Sequence, residues 1–164
     1  MRASLTAGAV VPRWCTVRNH NIGSVSSGTM RPEDLIPSFV WTLEHQRPLR
    51  REHRKLVTAI TKAMEAVGYF DGDDCSDDLD ELFTALDEYS PEGFYFGAHP
   101  GDGADYGWWL SESFTEDFDG LKVSDLSEVP RDYFGSILLT TDHGNLSLYT
   151  RARNYRITER WSIV

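Results

Sequence analysis

Between Ala63 and Leu121 the sequence contains no lysine or arginine, while the same stretch carries 17 aspartates and glutamates. Cysteine is nearly absent too: Cys15 and Cys75 cannot build the multi-bridge framework of a small secreted domain, and no CxxC or Cys/His spacing suits structural zinc. A reducing cytoplasm is the expected compartment. No apolar run approaches the roughly 20 residues of a membrane span. The apolar stretch from Ala7 to Val11 is too short for the core of a secretory signal. Catalytic signatures are missing as well, with no serine nucleophile elbow, HExxH, GxxxxGK or GxGxxG.

What remains is a chain of 164 residues, 40% hydrophobic and 26% charged, the composition of a folded globular protein. The formal charge of −10 argues against a surface that coats nucleic acid or an anionic membrane, so neither is an expected partner.

Residues 1–30 hold three arginines, no acidic side chain and a Ser/Thr-rich stretch without periodicity, and they read as a flexible leader. Met30 is a candidate natural start. Residues 31–164 read as one α+β domain, helical over 31–90 and mainly β over 91–164. Residues 37–46 read as a helix with Phe39, Val40 and Leu43 on one face and proline in its first turn. Over 49–67, apolar residues at three- and four-residue steps predict a second helix that Gly68 stops. A third is expected over 77–89, capped by Ser76, with Leu79, Leu82, Phe83 and Leu86 as its buried stripe.

After Pro91, aromatic and β-branched runs separated by glycine-rich turns predict strands over 94–98, 106–110, 137–141, 145–150 and 157–164. The expected fold is α+β, with the N-terminal helices on one face of a roughly five-stranded antiparallel sheet.

Charge is the most informative feature. Residues 47–62 are locally basic, with Arg47, Arg50, Arg51, Arg54, Lys55 and Lys62 against Glu52 alone, and the third helix is acidic outside its apolar stripe. Asp71, Asp73, Asp74, Asp77, Asp78, Asp80, Glu81, Asp87 and Glu88 form the candidate partner-binding set. Asp77/Glu81 and Asp78/Glu81 are like-charged helical neighbours that each cost about 0.2–0.5 kcal/mol. A solvated surface, or neutralisation by the basic helix, explains such a cluster blandly. The sharper explanation is a docking face for a cationic partner, since carboxylates about 5–6 Å apart on a helix imitate a phosphate backbone. The segment DGDDCSDDLDEL does not make a regular EF-hand, because Ser76 stands where the turn glycine belongs and Leu82 where the bidentate glutamate belongs.

An alternative polar site is His99, Asp102 and Asp105 in one turn with Asp142 and His143 in another. If the turns met, these residues would suit a small metal-dependent hydrolase or ligand-binding domain. Aspartate and glycine are equally what tight turns require.

The blocks YFGAHPGDGADYGWW and DHGNLSLYT, with the ending RWSIV, resemble a small uncharacterised group of acidic accessory proteins carried by bacteriophages and mobile plasmids. The resemblance covers residues 91–164 and brings no activity or catalytic residue. It implies a context in which such proteins bind and disable, redirect or protect against a host factor. The resulting expectation is a non-enzymatic, cytoplasmic, cofactor-free interaction protein. Its partner would be a basic surface of a nucleic-acid-binding host protein, engaged as a nucleic-acid mimic that inhibits defence or gene expression.

Overall fold

The computed structural model describes residues 22–163. The chain divides at about residue 121 into two compact units. Among the described residues no helix is long and apolar enough to cross a membrane.

The first unit runs β1 (Gly23–Ser27), α1 (Pro32–Glu44), α2 (Arg51–Ala63), a 3-10 turn (Tyr69–Asp71), α3 (Asp74–Asp87), β2 (Phe94–His99), β3 (Asp102–Leu110) and the short α4 (Phe114–Asp117). Helix α1 starts one turn before its expected position, so Pro37 lies inside it. Pro32 occupies the first turn, where a missing N–H costs nothing, and Glu33 and Asp34 sit at the positive end of the helix dipole. The early start buries Leu35 and Ile36 completely. Two such side chains contribute about 3–6 kcal/mol, which offsets the roughly 3 kcal/mol cost of an interior proline.

Helix α2 is shorter than its periodicity suggested. It ends at Ala63, and the chain turns through Gly68, which adopts the left-handed conformation expected of it, with φ 82°. Helix α3 also begins a turn early, with Ser76 inside it and no side-chain cap at Asp73. Burial of Cys75, whose thiol donates to the Gly72 carbonyl at 3.1 Å, draws that extra turn into the fold.

Helices α1 and α3 pack on a three-stranded antiparallel sheet ordered β1-β3-β2, and α2 packs on α1. Phe39 of α1 meets Phe83 of α3 and Phe96 of β2 edge-on, each at 5.1 Å between ring centroids. Trp108 of β3 lies against Phe96 and donates its indole N–H to the Leu86 carbonyl at 3.3 Å. These contacts join sheet and helices into one core.

Strand β1 corrects the expected leader. Residues 23–27 pair with β3 instead of forming a flexible arm, and Val25, bulged between Ser24 and Ser26, packs against the core. Gly107 makes the pairing possible, because a Cβ at that position would overlap the Gly23 carbonyl. The rest of the expected leader, residues 1–21, lies outside the described residues.

The second unit contains β4 (Leu121–Val123), a 3-10 turn (Leu126–Glu128), β5 (Gly135–Thr140), β6 (Leu146–Arg151) and β7 (Ile157–Ile163), in a four-stranded sheet ordered β4-β5-β6-β7. Ile137, Leu138, Leu148 and Trp161 are its buried centre. The five expected strands therefore exist, but they are shared between sheets of three and four strands instead of forming one. β3 has no free edge to offer β5, because β1 occupies one side and β2 the other.

Candidate functional site

The charge divides with the fold. Residues 20–121 carry 21 acidic and 7 basic side chains, whereas residues 122–164 carry 5 and 6. The acidity belongs to the first unit, and its densest run is α3 with the turn before it.

The nine candidate carboxylates separate into two groups by what they touch. Three are engaged within the fold. Asp78 accepts the Tyr69 hydroxyl at 2.6 Å. Asp87 accepts the Phe96 backbone N–H at 2.8 Å and the Ser90 hydroxyl at 2.9 Å, fastening the end of α3 to β2. Glu88 is ion-paired with Arg50, and its Oε2 lies 3.7 Å from His53 Nε2. The other six, Asp71, Asp73, Asp74, Asp77, Asp80 and Glu81, are exposed and make no ion pair or side-chain hydrogen bond among the described residues.

The basic helix therefore does not neutralise the acidic one. On α2, His53, Val57 and Ile60 face the core. Glu52, Leu56, Ala59 and Ala63, at four-, three- and four-residue steps, form the stripe turned toward α3. Arg51, Arg54, Lys55 and Lys62 fall outside both stripes. Arg54 instead lines a groove with Arg47 and Glu44 of the α1 side. Arg50, just before α2, ion-pairs with Glu88, just after α3.

Two groups beside this face have displaced titrations. Burial, reinforced by the positive charge of Arg50 and opposed by Glu52, lowers the pKa of His53 below its ordinary value of 6.5. Burial raises the Tyr69 phenol, and its hydrogen bond to Asp78 and that carboxylate's charge push it further the same way. Tyr69 is thus a neutral hydrogen-bond donor that holds Asp78 in place.

Between α2 and α3 the surface is grooved. One depression of about 410 Å³ is lined by Glu52, His53 and Leu56 on one side and by Glu81, Ala85 and Glu88 on the other. A second, of about 590 Å³, lies between Ala59, Ala63 and Ala66 and the carboxylates Asp74, Asp77 and Asp78. Sequence reasoning identified the carboxylates but missed the grooves. Helical periodicity reveals which residues share a face, but not how far apart two helices stand.

The residues of the alternative polar site are divided between the two units. His99 accepts the Gly101 N–H at its Nδ1 (3.0 Å), Asp102 accepts the Ala104 N–H at 3.0 Å, and Asp105 accepts the Ser24 hydroxyl at 2.5 Å. These are the bonds of a turn and of a strand pair. Asp142 and His143 occupy the β5–β6 turn of the other unit. Among the described residues no group of three or more His, Cys, Asp or Glu side chains is placed to hold a metal ion.

A further feature, unmarked in the sequence reading, is Trp41, 62% exposed and stacked on His45 at 4.1 Å. The pair borders a groove of about 650 Å³ between α1 and β1, with Val25 and Trp108 behind it. Its signal in the sequence is the four-residue spacing of two rings on the polar side of α1. Comparison of the chain with family models, with curated proteins and with solved structures found no match.

Proposed function

We propose that this chain is a binding protein without catalytic activity of its own, and that the acidic face of α3 engages a basic surface on another protein. One observation carries the reading: six carboxylates stand exposed on α3 and its approach and make no ion pair or side-chain hydrogen bond among the described residues. Mutual repulsion makes such an arrangement unfavourable for the isolated helix. A positively charged partner converts the same repulsion into attraction, accelerating encounter and aligning the two surfaces.

The finer reading is that the carboxylates imitate a nucleic-acid backbone and occupy the binding groove of a nucleic-acid-binding host protein in a reducing cytoplasm. The resemblance to accessory proteins of bacteriophages and plasmids adds the context of inhibiting host defence or gene expression. Affinity capture from a bacterial extract at low and moderate salt tests both levels. A captured partner is expected to bind more weakly as salt rises, and more weakly to a protein carrying Asp77→Asn, Asp80→Asn and Glu81→Gln. Duplex DNA or RNA should compete for the same partner. An affinity indifferent to salt and to the three substitutions would reject the acidic face; failure of nucleic acid to compete would reject the mimicry alone.

A further inference from the structure

We propose that the seam between α2 and α3 is a docking groove for one basic amphipathic helix of a partner protein. This inference rests on the acidic-face reading and specifies how the partner is held.

The two depressions between these helices lie end to end. The 410 Å³ depression pairs the first turns of α2 with the last turns of α3, and the 590 Å³ depression pairs the end of α2 with the start of α3. The helices therefore run antiparallel, with the two depressions following one another along the gap between them. From Asp74 to Glu88 the seam spans 14 residue steps, a length of about 21 Å at 1.5 Å per residue, which matches an incoming helix of about four turns.

Its chemistry is that of a cation-binding trough with an apolar floor. Leu56, Ala59, Ala63 and Ala85 supply the floor, and small side chains there let another helix approach closely enough for its ridge to settle between the two. At one end Val67 is fully exposed, an apolar side chain with no cover among the described residues. Every Asp, Glu, Lys or Arg lining the two depressions is acidic: Asp74, Asp77 and Asp78 at one end, and Glu52, Asp80, Glu81 and the Arg50-paired Glu88 at the other. Lysine and arginine stems would lie on the alanines and leucine while their heads reach the carboxylates.

His53 provides a reporter within the seam. It is only 5% exposed and lines the seam, with its Nε2 3.7 Å from Glu88 Oε2. Its other nitrogen is occupied by Tyr89. A cation seated on Glu88 would therefore register on the His53 ring.

The probe is a synthetic peptide of about 14 residues, with leucines at helical spacing on one face and lysine and arginine elsewhere, compared with a scramble of the same composition. Binding is measured by calorimetry at low and moderate salt, with NMR following Ala59, Ala63, Ala85 and the His53 imidazole. The ordered peptide is expected to bind about tenfold tighter than the scramble and to shift those resonances. Ala59→Phe, a substitution at an exposed position, should weaken binding of the ordered peptide about tenfold while leaving its salt dependence intact. Ala66→Phe serves as an independent block should the first variant fold poorly. Equal binding of both peptides, or indifference to both blocks, overturns the groove. If Asp77→Asn with Glu81→Gln still flattens the salt dependence, the acidic face survives that result. If those substitutions change nothing either, both readings fall. A dimer of the unliganded protein that Ala59→Phe dissociates would assign the groove to a second copy of this chain and overturn the proposal as well.

Discussion

His53 Nδ1 and the Tyr89 hydroxyl lie 2.9 Å apart, joining a buried imidazole of α2 to the residue that closes α3. The Arg50 backbone N–H donates to the same phenol oxygen at 3.1 Å, which leaves the phenol proton for His53 Nδ1. Tyr89→Phe keeps the ring but strands a buried ring nitrogen and a backbone donor. The expected cost is about 1–3 kcal/mol, read as a lower urea midpoint at unchanged slope. A Tyr89→Phe protein as stable as the parent would show that this junction holds nothing together.

The same junction predicts how stability responds to pH. Burial keeps the His53 pKa below 6.5 in the folded protein, so below pH 6.5 the unfolded chain takes up the proton more readily. The contribution of neutral His53 is fully present above pH 6.5 and is lost as pH falls through the folded-state pKa. Melting temperatures measured downward from about pH 7 should fall more steeply for the parent than for His53→Gln. Parallel curves would mean that His53 is free to charge within the fold.

Gly107 predicts the status of β1. Its missing Cβ is the space into which the Gly23 carbonyl fits, so Gly107→Ala should push β1 off the sheet at a cost of about 1–3 kcal/mol. Hydrogen exchange offers a local readout: the Gly28 N–H, bonded to the Ala104 carbonyl at 3.0 Å, should lose protection while the amides of β2 paired with β3 keep theirs. Retained protection at Gly28 would show that β1 does not need the glycine.

β1 also explains why the sheet was only partly legible in the sequence. The strands at 94–99 and 157–163 announce themselves through aromatic and β-branched residues, and the helices through stripes such as Val57 and Ile60. GSVSS carries no such pattern. Its single apolar side chain, Val25, sits in a bulge, and its pairing depends on a glycine 84 residues away in sequence. With that strand hidden in a polar leader, β3 looked free to pair onward, and two sheets read as one. The acidic site was legible because charge is a property of residue type. The seam between α2 and α3 was not, because the separation of two helices depends on how both rest on α1.

Glu81 separates the demands of folding from those of binding. It is exposed on α3, one helical turn from both Asp77 and Asp78, and no cation among the described residues pairs with it. Removing its charge relieves two like-charge contacts, so Glu81→Gln should stabilise the protein by about 0.5–1 kcal/mol at low ionic strength. The gain should shrink as salt is added, because exposed charges are screened over about 8 Å near physiological salt. Thermal melts at two salt concentrations read both the gain and its loss. The same substitution should weaken capture of a basic partner, placing stability and binding in opposition at one residue. A Glu81→Gln protein that melts lower than the parent would instead reveal a favourable partner for Glu81 within the fold, and the carboxylate stripe on α3 would then be serving the protein's own structure.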